Sequence, residues 1–207
     1  MIIPVILEES FEGIKKKVQL IDFVAKVIQI DFADGNLVDG KTFLDIYKLD
    51  EIKTDAEFDI HLMVKDPITF LDRKVHRVFK ICSQIEADFD VANFIERARE
   101  LEYLVGLSLN FETDIDTVEK YVSDLDFVQF VSVEPGGQGR KFHNEVIEKI
   151  GKFRERHSGV KIQVDGGIKK DIIPKLLNAG VNDVVIGSAI WKSENPKEEF
   201  IKLREIK

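Results

Sequence analysis

Short apolar runs alternate with amphipathic stretches along the whole chain, and this alternation restricts the fold more than any single motif. Ile2–Leu7, Val27–Asp31, Glu57–Met63, Arg77–Ile85, Tyr103–Leu109, Phe127–Val133 and Asp183–Ile186 read as strands, and Ile162 and Val164 mark one more that ends in Asp165. Between them lie helical patterns. Ser10 caps a helix that buries Phe11, Ile14, Val18 and Ile21. Thr42–Leu49 reads as a short helix, and Asp66-Pro67 opens the third, with Asp as cap and Pro in the first turn. Val91–Leu101, Asp114–Val122, Asn144–Arg156, a segment with Ile172, Ile173, Leu176 and Leu177 on one face, and Pro196–Arg204 complete the set. Eight strands with eight helices close most naturally into a (β/α)8 TIM barrel, an α/β fold. A doubly wound open sheet is the alternative. No Pro/Gly-rich linker interrupts the pattern, so residues 1–207 are expected to form one barrel domain with short loops.

Composition narrows the function. The chain is 44% hydrophobic and 33% charged, enough apolar material for a sizeable core. The net charge is −8 with Lys and Glu intermixed, and no basic block suggests nucleic acid as a partner. Cys82 is the single cysteine, so no internal disulfide forms, and its apolar surroundings mark it as a small core residue. The run Met1–Leu7 is too short for a signal peptide or a membrane span, and nothing later is long enough. The expectation is a cytoplasmic protein with no membrane partner.

Chemistry-bearing residues collect at strand ends, where barrels of this kind carry their active sites. Those ends read Asp31, His61, Asn110, Glu134 with a Gly-rich loop, Asp165 and Gly187-Ser188. Lys161-Ile-Gln-Val-Asp-Gly-Gly-Ile168 is the densest of these stretches. It puts a carboxylate and free backbone N–H groups at one point, suited to proton or metal chemistry and to holding an anion. An isolated Asp-Gly-Gly is ordinarily just a tight turn with a capping Asp. Asp34 reads as a turn former with Gly35, while His76, His143 and His157 read as solvated side chains on charged helical stretches. Asn110 reads equally well as a turn former or a supporting donor, and Trp191 as packing behind the Gly187-Ser188 turn.

Ile30-Asp-Phe-Ala-Asp-Gly35, Asp59-Ile-His-Leu-Met63, Leu109-Asn110, Ser132-Val-Glu-Pro-Gly136, Val164-Asp-Gly-Gly-Ile168 and Gly187-Ser-Ala-Ile190 occur in one order from Pro4 to Trp191. In this the chain resembles the ribulose-phosphate 3-epimerases. The resemblance implies an isomerase of carbohydrate metabolism that epimerises a phosphorylated ketopentose at C3. In that scheme two carboxylates move protons on opposite faces, and a divalent metal of the Zn, Mn, Fe or Co class polarises the carbonyl. Carried over, Asp31 and Asp165 become the catalytic pair. Asp31, His61 and Asp165 become metal ligands, with Gln29 as a weaker fourth where the family has His. His61, Gly136, Gly137, Gln138, Gly139, Gly166, Gly167, Gly187 and Ser188 become the substrate and phosphate contacts. Relatives assemble as dimers or larger rings, so a homo-oligomer is allowed, but no exposed apolar stripe selects one.

The chain also departs from the family pattern. Val5 stands where a substrate-binding Ser is usual. Only Met63 remains of three methionines, with Ala33 and Val131 at the other two positions. The loop Gly136-Gly-Gln-Gly-Arg140 lacks its aromatic, and Gln84-Ile-Glu86 lacks a common His. Two further readings follow from these changes: a phosphosugar-binding or regulatory barrel without turnover, and an epimerase for another sugar phosphate.

Overall fold

The computed structural model describes residues 1–135, 137 and 139–206. Strands β1 (Ile2–Ile6), β2 (Val27–Ala33), β3 (Glu57–Met63), β4 (Val78–Gln84), β5 (Leu104–Leu109), β6 (Phe127–Val131), β7 (Lys161–Asp165) and β8 (Asp183–Ile186) pair in chain order. Every pairing is parallel, and β8 returns to β1, so the sheet is a closed eight-stranded barrel. The seam is tied by the Met1 amino group, which donates to the Asn182 carbonyl and lies 3.2 Å from the Asp183 carboxylate. This is the TIM barrel, and the open-sheet alternative is excluded by the β1–β8 ladder.

Side-chain alternation along the strands divides the barrel wall into two faces. Ile28, Ile30 and Phe32 of β2, Phe58, Ile60 and Leu62 of β3, and Val128 and Phe130 of β6 belong to the main core between barrel and helices. The helices supply the other half of that core. They are α1 (Phe11–Ile21), α2 (Val91–Glu100), α3 (Asp116–Glu119), α4 (Glu145–Arg156), α5 (Ile173–Asn178), α6 (Ser188–Trp191) and α7 (Pro196–Arg204). In α1 the spacing of Ile14, Val18 and Ile21 buries one stripe, each side chain contributing about 1.5–3 kcal/mol. Ser10 caps this helix by accepting from Gly13 N at 3.2 Å. Among the described residues no helix is long and apolar enough to cross a membrane.

Three expected helices are shorter than their patterns suggest. The segment expected as Thr42–Leu49 is a 3-10 helix at Ile46–Glu51, because Thr42 is held to the end of β2. Its N–H donates to Ala33 O at 2.9 Å and its hydroxyl accepts from Ala33 N at 2.8 Å. After Asp66-Pro67 the cap forms, but the helix ends after the single turn Pro67–Phe70. Asp114–Val122 breaks into α3 and a 3-10 turn at Val122–Asp124.

One irregularity reaches the barrel interior. The β3–β4 ladder pairs Phe58 with Val78 but Asp59 with Lys80, a one-residue shift. Without it Asp59 would face Phe79. With it an ammonium enters the barrel beside a carboxylate.

Candidate active site

Asp31 and His61 are register partners on β2 and β3, and Asp165 ends β7. The strand order β2-β1-β8-β7 brings Asp165 back across the barrel mouth. All three side chains are buried, and one ligand atom from each lies within 4.8 Å of the others. His61 Nδ1 is 3.4 Å from Asp31 Oδ1 and 3.7 Å from Asp165 Oδ2. Neither ring nitrogen makes a hydrogen bond among the described residues. Two convergent carboxylates and an imidazole without a partner fit a divalent cation. Gln29, the fourth residue expected here, turns its amide nitrogen inward. Its Nε2 donates to Asp31 Oδ1 at 2.9 Å and to Asp165 Oδ2 at 3.0 Å.

The electrostatics follow from crowding acids in a dry site. Burial pushes the Asp31 carboxyl up to about 6, and the charge of Asp165 adds to this while His61 opposes it. Burial alone would lower the His61 imidazole. Attraction to Asp165 and Asp31 outweighs it and raises the ring to about 9. Positive charge is favoured at this point, whether it is a proton or a metal ion.

Above the acids the pocket has two kinds of wall. Val5, Leu7, Met63, Val131 and Val133 form the apolar side. Gly137, Gly139, Gly166, Gly167, Gly187 and Ser188 form the other. Gly136 and Gln138 lie outside the described residues. Of the three positions set against the family's methionines, Met63 and Val131 line the pocket. Ala33 packs instead in a small cluster with Met63 and Val38.

Gly167 has φ +64, and a Cβ there would lie 2.8 Å from Arg140 O and from Phe142 N. The turn therefore closes against the backbone of the β6–α4 loop, which only glycine permits. Helix α5 begins at Ile173, so the turn does not lead directly into a helix as the sequence suggested. Among the described residues the N–H groups of Gly167 and Ser188 find no hydrogen-bond partner, leaving donors for an anion. Lys192 was not anticipated. Its Nζ lies 3.1 Å from where a Cβ of Gly139 would sit, which puts a positive charge beside the turn.

Below the acids the barrel interior is polar. Gln29, Asp59, Lys80, Gln129 and Gln163 are all buried there. Lys80 Nζ is 3.0 Å from Asp59 Oδ2 and donates to Gln163 Oε1. Gln163 Nε2 faces Gln29 Oε1 at 2.9 Å, Asp59 Oδ2 at 2.8 Å and Gln129 Oε1 at 2.7 Å. Apart from Gln29, sequence reasoning gave these residues no role. The available signal was one polar residue at an inward position of each of five apolar strands.

Other polar candidates serve the scaffold. Asp34 structures its turn by accepting from Asn36 N, Leu37 N and Lys65 N. Asn110 meets the Gln84 amide and donates its N–H to Glu86, on the rim and outside the acid cluster. His76 is exposed, but His143 and His157 are not simply solvated. His143 stacks on Phe111 with centroids 3.9 Å apart, and His157 pairs with Glu119. Trp191 donates its indole N–H to Val5 O, behind the Gly187-Ser188 turn.

Comparison with known proteins agrees with this architecture. Residues 1–191 match the model of the Ribulose-phosphate 3 epimerase family. A ribulose-phosphate 3-epimerase from Schizosaccharomyces pombe is 29% identical, with 98% of this chain and 92% of the relative aligned. One from Bacillus subtilis is also 29% identical, over 97% of this chain and 96% of the relative. These relatives are isomerase-class enzymes. Among solved structures, a mutant tryptophan synthase alpha-subunit from Pyrococcus furiosus superposes with TM-score 0.73 over 99% of this chain and 96% of its own. Its 18% identity carries the barrel fold alone.

Proposed function

Because this chain belongs to the ribulose-phosphate 3-epimerase family, we propose that it epimerises a phosphorylated ketopentose at C3, interconverting ribulose 5-phosphate and xylulose 5-phosphate or a close analogue. The observation that carries this reading is the convergence of Asp31, His61 and Asp165 on one buried point beneath a glycine-lined pocket. Asp31 and Asp165 come from β2 and β7, with two strands between them, so a carbon lying over the cluster meets one carboxylate on each face. One carboxylate removes the C3 proton and the other returns a proton from the opposite side, with the roles exchanged in the reverse direction. Asp31, His61 and Asp165 would hold a divalent cation, whose chemistry is to polarise the adjacent carbonyl and stabilise negative charge on its oxygen. Val5, Leu7, Met63 and Val131 keep water from the reacting carbon. The amides of Gly167 and Ser188, with Lys192 nearby, bind the phosphate.

The test is turnover of ribulose 5-phosphate in deuterated water. The parent protein should form xylulose 5-phosphate with solvent deuterium at C3. Asp31→Asn and Asp165→Asn should each abolish this while phosphate binding persists. Full activity of Asp31→Asn overturns the two-carboxylate mechanism. Val5 and Gln29 favour a second reading, a phosphosugar-binding barrel without turnover. Sugar-phosphate binding with no deuterium incorporation under any metal loading would select it.

A further inference from the structure

Gln29 occupies the place where a fourth metal ligand is expected, yet its nitrogen, and not its oxygen, faces the acids. The reason lies one layer down. Lys80 is buried, with its ammonium 3.0 Å from the Asp59 carboxylate and its face toward the Phe127 ring at 4.8 Å. An ammonium donates and cannot accept. Whatever amide atom meets Lys80 must therefore be an oxygen, and that atom is Gln163 Oε1. The Gln163 nitrogen is then turned away from the ammonium toward acceptors, Gln129 Oε1 at 2.7 Å, Asp59 Oδ2 at 2.8 Å and Gln29 Oε1 at 2.9 Å. With its oxygen accepting, Gln29 can only present its two N–H bonds to Asp31 Oδ1 and Asp165 Oδ2. Turning Gln29 alone would set nitrogen against nitrogen at Gln163 and oxygen against two carboxylates. Turning both amides would set the Gln163 nitrogen against the ammonium.

We propose that Lys80, acting through Gln163, fixes Gln29 as a hydrogen-bond donor that positions the two carboxylates, and that Gln29 is not a metal ligand. This rests on the reading of Asp31 and Asp165 as the reacting pair. Gln29 Nε2 addresses the same two oxygens that approach His61 Nδ1. It therefore spans the acids from below, and its hydrogens oppose a cation. The cation site keeps three protein ligands, and the relay sets how tightly it binds.

The test is Mn2+ binding by calorimetry on the full chain, which needs no turnover. Failure of the relay is thus separable from failure of the epimerase reading. Losing a direct ligand should weaken Mn2+ affinity. Gln29→Met should instead bind Mn2+ at least as tightly as the parent while kcat falls and KM holds. Gln163→Met releases the Gln29 amide to turn its oxygen inward, so affinity should rise by about tenfold, and the rise should vanish in the double variant. Should Gln163→Met not fold, the unaltered protein carries the test. Its Gln29 side-chain amide protons should resonate downfield, as donors to carboxylates do, and should move when Zn2+ is added. A tenfold loss of Mn2+ affinity in Gln29→Met overturns the proposal. So do an unchanged affinity in folded Gln163→Met and a Gln29 amide that resonates like a solvated one in the parent.

Discussion

Gly167→Ala isolates what the Asp165-Gly166-Gly167 turn requires of its backbone. The residue has φ +64, and holding alanine there costs about 1–2 kcal/mol. The added methyl would also sit 2.8 Å from Arg140 O, Phe142 N and Val133 Cγ1. Two of these atoms are backbone and cannot swing aside, so overpacking adds about 1–3 kcal/mol. The sum is about 3.5 kcal/mol, which for a chain of this length lowers the melting temperature by about 7–14 °C. Gly180→Ala is the control. It has φ +90, but its nearest neighbour, at 3.1 Å, is Arg154 Nε, a side-chain atom farther off than the backbone atoms that crowd Gly167. It should incur mainly the backbone cost, about 1.5 kcal/mol or about 3–6 °C. Any gain from stiffening the unfolded chain is shared by both variants and cancels in the comparison. Calorimetric melting of the two proteins gives the difference directly. The β6–α4 loop must move to admit the methyl, so Gly167→Ala should also raise KM for a sugar phosphate, and Gly180→Ala should not. Equal melting temperatures with unchanged KM would refute the argument that this turn closes against fixed backbone.

Two further outcomes test the scaffold. Arg154 donates to the carbonyls of His157, Ser158, Val160 and Gly180 and to the Asn182 side chain, tying α4 to the loops before β7 and β8. Arg154→Met should lose about 3 kcal/mol, or about 6–12 °C, while Lys152→Met, which breaks only an exposed pair with Glu148, should shift melting by about 1–2 °C. Asp34 carries the pH dependence of the β2 turn. Burial pushes its carboxyl up, but hydrogen bonds from Lys65, Asn36 and Leu37 outweigh this and lower it overall. A lowered folded value means the stability it confers is present above the unfolded value of about 3.9 and is lost as pH falls through the folded one. The gap in urea midpoint between the parent and Asp34→Asn should therefore be full at neutral pH and shrink in acid. A gap that widens in acid would contradict the sign.

Much of the barrel can be read directly from the chain, because each strand is a short apolar run with a polar residue or a glycine within two residues of its C-terminal end. Asp31, His61 and Asp165 sit at such ends, and the closed sheet brings them together. The helices were harder to read. Asp66-Pro67 signals where a helix starts and says nothing about how long it lasts, and Thr42 carries no mark of its bond to β2. The polar layer below the acids was hidden for a different reason. A Gln or Lys at alternate positions of a strand looks like a residue facing water, and here the alternate face is the inside of a barrel. Lys80 was doubly hidden, since only the register shift between β3 and β4 turns it toward Asp59. The orientation of the Gln29 amide depends on that ammonium, so nothing local to Gln29 could reveal it.

The seam between β1 and β8 also governs when the site comes into existence. Those two strands lie between β2 and β7, so Asp31 and Asp165 face each other only across the joint that closes the ring. Joining the ends requires contacts between residues about as far apart in sequence as the chain allows, such as Met1 with Asn182 and Val5 with Trp191. Contacts of such sequence separation are the costliest to close, so joining the ring is expected to follow assembly of the local βα units. A chain folded everywhere except at this joint would hold most of its helices and strands and still keep its two carboxylates apart. Recovery of turnover during refolding should therefore lag behind recovery of helical signal, and the interval between them times the closing of the ring.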